Sequence, residues 1–71
     1  MDPDAFRQRL ALLNQTQQGF ARAIGVDPRT VRRWALGEAA VPRAIAVLLE
    51  ALLIIQLHDG EERMRAIMSA P

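Results

Sequence analysis

The chain has no cysteine, lysine or tyrosine, and one serine and one histidine among its 71 residues. Without cysteine it has neither a disulfide framework nor a thiolate metal site. His58 is the only imidazole, so a histidine metal site lacks its second ligand, and no metal or cofactor is expected. Ser69 stands near the C-terminus without a base or carboxylate constellation beside it, so no catalytic residues are assigned and the chain is not expected to be an enzyme. Aromatics are limited to Phe6, Phe20 and Trp34, which favours a helical domain rich in Ala, Leu and Ile over a sandwich of strands. The longest apolar run, 44–57, is shorter than the roughly 20 residues a membrane helix needs. It also carries Glu50 in its middle, so no membrane span is expected. The start, MDPDAF, has neither the basic opening nor the apolar run of a secretory signal, and the default expectation is the cytoplasm. One domain over residues 1–71 is expected. A core of that size is marginal without disulfides, a metal or a partner, so a second chain is the expected source of further burial.

All nine basic residues are arginine, and the formal net charge of +1 hides an asymmetry. Residues 1–43 hold seven arginines against four acids, a net of +3, whereas 44–71 carry a net of −2. Codon preference in a GC-rich genome explains the absence of lysine as well as selection for bidentate recognition does.

Helical spacing organises the chain. Asp2 is an N-cap candidate with Pro3 at the first helical position, and Phe6, Leu10 and Leu13 make one apolar stripe ending near Asn14. Thr16 is the next N-cap candidate, and Phe20, Ala21 and Ile24 form one face of a short second helix that Gly25 ends. Asp27 and Pro28 open a third helix with Val31, Trp34 and Ala35 inward, Arg29, Arg32 and Arg33 outward, and Gly37 as its C-cap. Pro42 starts a fourth helix, from Arg43 to about His58. Ile45, Leu48, Leu49, Leu52 and Ile55 form one stripe on it, and Val47, Ala51 and Ile54 a second on roughly the opposite side. Two apolar sides imply burial on two sides, one against the domain and one against a partner subunit. Asp59-Gly60 is read as a break, with a fifth helix over 61–68 presenting Met64, Ile67 and Met68.

In QQGFARAIGVDPRTVRRWAL, residues 17–36, apolar residues stand at the fourth, eighth, tenth, fifteenth and eighteenth places (Phe20, Ile24, Val26, Val31, Trp34), with Ala21 fifth and Gly25 ninth. The small residue suits a close helix crossing, and the glycine suits a strained turn. This pattern resembles the helix-turn-helix of the lambda-repressor-like, or Cro-type, family of bacterial and phage DNA-binding proteins. Trp34, Gly37 and Pro42 extend the likeness to about residues 4–57.

The resemblance implies a compact all-α, five-helix domain with the motif at helices two and three. Helices four and five, about 42–68, would complete the core and form a dimer interface through Val47, Ala51, Ile54, Leu57, Met64, Ile67 and Met68. It implies a sequence-specific regulator, a repressor that binds a pseudo-palindromic operator in double-stranded DNA as a homodimer. Its third helix would lie in the major groove. Arg29, Arg32 and Arg33 are then the base-reading candidates, since arginine reaches guanine O6 and N7 bidentately. Thr30 is a weaker candidate, and Pro28 offers only an apolar contact where relatives carry a polar reader. Thr16, Gln17 and Gln18 at the start of helix two, and Arg43 after the loop, match the family's phosphate contacts. Gly19 replaces the acidic residue often found there. The alternative reading is an antitoxin or adaptor whose apolar C-terminal half binds another protein.

Overall fold

A computed structural model describes residues 1–59 and 67–68. These hold four α-helices: α1 (Pro3–Leu12), α2 (Gln17–Ile24), α3 (Pro28–Leu36) and α4 (Arg43–Asp59). The all-α class agrees with the expectation, but the five-helix architecture is corrected to four. The ten buried apolar side chains of the described residues run from Phe6 to Leu52, all on α1–α4 or their caps, and Met68 packs against them as a partly buried neighbour. α4 takes in the apolar run as far as Asp59. Most of the expected fifth helix, including Met64, lies outside the described residues.

Local sequence sets the helix boundaries. The Asp2 carboxylate accepts from the Ala5 N–H at 2.7 Å, and the Thr16 hydroxyl accepts from the Gly19 N–H at 2.9 Å. Each satisfies one of the donors that a helix start leaves open. At the other ends, Asn14, Gly25 and Gly37 adopt positive φ of 56°, 77° and 77°. Each reversal is locked by an N–H that reaches back five residues: Gln15 to the Leu10 carbonyl (2.9 Å), Val26 to Ala21 (3.0 Å) and Glu38 to Arg33 (2.9 Å). That is the Schellman arrangement, used three times in succession.

Phe6 sits at the centre of the packing. Its ring meets Phe20 of α2 edge-on at 6.2 Å and Trp34 of α3 at 5.9 Å, so all three aromatic side chains of the chain form one cluster. Fully buried Ala21 lets α2 cross close to α3, and Leu10, Leu13 and Val31 fill the remaining space. α4 packs against α1 through Leu49 and Leu52. Two polar links reinforce that contact: Arg9 Nε donates to Glu50 Oε1, and Gln56 Nε2 donates to the Leu12 carbonyl at 2.9 Å. No polar or charged side chain is buried among the described residues.

Candidate functional site

The unit α2–α3 is held by its inward side chains, and its outward ones are then free to act. α3 buries Val31, Trp34 and Ala35, which leaves Arg29, Arg32 and Arg33 exposed. Pro28 is also exposed, and Thr30 is half-buried beside the start of the helix. Arg43, at the first position of α4, is exposed as well.

The arginines of the basic half divide into two kinds. Arg7 donates from Nη1 to the Ala35 carbonyl in the last turn of α3 and from Nη2 to the Asp4 carboxylate; Arg9 pairs with Glu50. Their partners lie as far as 41 residues away in sequence, and no local pattern announces such a bond. By contrast, Arg22, Arg29, Arg32, Arg33 and Arg43 form no ion pair with a carboxylate among the described residues. Among the described residues the arginines without an ion pair therefore lie on α2, α3 and the start of α4. Comparison with protein-family models, curated proteins and solved structures gave no match.

The two helix starts on this side differ. At α2 the cap is a neutral hydroxyl, and it uses only the Gly19 N–H, while the Phe20 N–H bonds the Thr16 carbonyl. The N–H groups of Gln17 and Gln18 find no acceptor among the described residues. They point along the positive end of the helix dipole, an arrangement that suits a phosphate. Thr16 and Gln18 are exposed and Gln17 is half-buried. At α3 the first position is a proline without an N–H, the Arg29 N–H is taken by the Asp27 carboxylate at 2.8 Å, and the Thr30 N–H bonds the Asp27 carbonyl at 2.9 Å. That end is filled, and it carries a negative charge.

Gly19 has a local explanation. A Cβ there would lie 2.9 Å from the Thr16 hydroxyl oxygen, so the capping group occupies the space a side chain would need. The helix gives up about 1 kcal/mol of propensity relative to alanine at that position.

α4 leaves apolar groups uncovered. Val47 is 59%, Ile54 57% and Leu57 81% exposed, and Ala51 is exposed between them. Ala46, Val47, Glu50, Ala51 and Ile54 line an open depression of about 350 Å³. Of the other residues expected at an interface, Ile67 is 44% exposed, whereas Met68 is half-buried against the core. Among the described residues no helix is long and apolar enough to cross a membrane.

Proposed function

We propose that the chain is a sequence-specific DNA-binding regulator that reads the major groove with α3 and acts as a homodimer. The observation that carries this reading is the exposed set Arg29, Arg32 and Arg33, without an ion pair among the described residues, on a short helix that a tight turn and a buried alanine fix against α2. Arg29 and Arg33 read bases first; Arg32 reads a base or holds a phosphate. Thr30 acts on the helix start more than on a base, and Pro28 supplies an apolar contact. Thr16, Gln17 and Gln18 anchor one phosphate through the open start of α2, and Arg43 holds another. Two copies related by a two-fold axis would set their α3 helices in successive major grooves, roughly 34–36 Å apart.

Selection of binding sites from random DNA tests the reading, since enrichment of a two-fold symmetric site supports it and no enrichment rejects it. On the selected site, Arg29→Ala or Arg33→Ala is expected to cost about 1–3 kcal/mol and to relax preference at one base pair per half-site. Arg43→Ala is expected to weaken selected and random DNA alike and to flatten the salt dependence. Gel-shift titrations at several salt concentrations check both; equal losses on selected and random DNA for Arg33→Ala would remove it from the readers.

The outer face of α4, through Val47, Ala51, Ile54 and Leu57, is the proposed dimer contact. Burying a side chain such as Ile54 is worth roughly 1.5–3 kcal/mol. Ile54→Glu is accordingly expected to sediment as a monomer where the parent sediments as a dimer; an unchanged dimer would move the contact elsewhere. The same exposed face favours a second reading, an antitoxin or adaptor that docks another protein there. Aggregation relieved only by a co-expressed partner would favour that role, and a soluble dimer that retards DNA favours the regulator.

A further inference from the structure

The residue that closes the start of α3 has an unused half. Asp27 is exposed, one of its carboxylate oxygens accepts the Arg29 N–H at 2.8 Å, and it forms no ion pair among the described residues despite three arginines on the same helix. The next residue, Pro28, has no N–H and no polar side chain to compete for the second oxygen. The cap bond uses one carboxylate oxygen at the start of α3, and the second accepts no hydrogen bond among the described residues.

Resting on the proposed major-groove reading, we infer that Asp27 is a further specificity determinant, whose second carboxylate oxygen accepts a hydrogen bond from the exocyclic amino group of a cytosine. An ionised carboxylate only accepts, and the cytosine N4 amino group presents a donor in the major groove; adenine's N6 amino group is also a donor, but it stands beside the N7 acceptor, which opposes the carboxylate. Guanine's O6 and N7, like a phosphate, present acceptors, so the carboxylate repels both. The three arginines select acceptors and Asp27 selects a donor. A reading helix with both signs distinguishes the two orientations of a G·C pair, which arginines alone do only through guanine. The negative charge also acts against loose binding on any backbone, because it opposes the phosphates wherever no amino group compensates it.

The test compares sites selected from random DNA by the full chain and by Asp27→Asn and Asp27→Ser, both of which keep a good helix cap. The unaltered chain is expected to prefer cytosine at one position per half-site by roughly fivefold to a hundredfold. Both variants are expected to lose that preference while keeping the guanines selected by arginine, and to bind random DNA more tightly with a steeper salt dependence. Retention of the cytosine preference in both variants would overturn the inference. So would an equal loss of preference at every position, which would mean that the residue acts only by holding the helix. If the unaltered chain selects no site at all, the DNA-binding reading itself falls, and this outcome is distinct from both.

Discussion

Phe6→Ala is expected to destabilise the domain by about 3–5 kcal/mol, the range for removing a buried phenylalanine. Phe6 is fully buried, and its ring is in edge contact with the only other two aromatic rings in the chain, one on α2 and one on α3. Removing it leaves a void among the rings of Phe20 and Trp34. Such edge-to-face pairs add about 0.5–1.5 kcal/mol beyond their buried area. Small domains have native stabilities near the low end of about 5–15 kcal/mol, so the loss removes most of the margin. Urea titration followed by helical circular dichroism measures it directly. A shift under 1 kcal/mol would mean that the three-helix junction is not centred on Phe6.

Gly37→Ala is expected to cost about 2–4 kcal/mol, clearly more than Gly25→Ala, although the two glycines share a φ of 77°. Alanine in that conformation costs roughly 1–2 kcal/mol at either site, less a few tenths regained through the stiffer unfolded chain. The environments separate them. A Cβ on Gly25 meets nothing within 4 Å, whereas one on Gly37 would stand 2.8 Å from Pro3 Cγ at the start of α1. That contact lies between a rigid ring and a fixed turn, so relief requires α1 and α3 to part, at a further cost of about 1–3 kcal/mol. Paired urea titrations of the two variants check the difference. A Pro3→Ala background should bring the Gly37→Ala cost down towards that of Gly25→Ala, and equal costs from the outset would dismiss the Pro3 contact.

The boundaries of α1–α3 were legible in the sequence because each is a short-range chemical fact: a capping Asp2, Thr16 or Asp27, a proline at the first position, a residue suited to positive φ at the end. The two stripes of α4 were legible for the same reason, with Leu49 and Leu52 buried and Val47 and Ile54 exposed as helical spacing predicts. The number of helices was not. Met64, Ile67 and Met68 have helical spacing, but periodicity does not show that the fully buried side chains of the described residues all lie on α1–α4 or their caps, with Met68 only half-buried against them. Nor were the roles of Arg7 and Arg9 legible. On a helical wheel they resemble Arg22, and only the packing of α1 against α3 and α4 brings the Ala35 carbonyl and Glu50 within reach. At the candidate site, spacing identified which arginines face outward. The contrast between the open start of α2 and the filled start of α3 required the hydrogen bonds themselves.

The three successive five-residue reversals at Asn14, Gly25 and Gly37 bear on how quickly the chain assembles. Each bend is encoded by the residues that make it, so closing it encloses very little chain and incurs almost none of the entropy that a distant pairing would demand. Helices joined by such bends meet their neighbours almost as soon as they form, and a topology rich in local contacts belongs to the microsecond-to-millisecond class of folders. A nascent copy would then spend little time with the inner apolar stripe of α4, Leu49 and Leu52, uncovered.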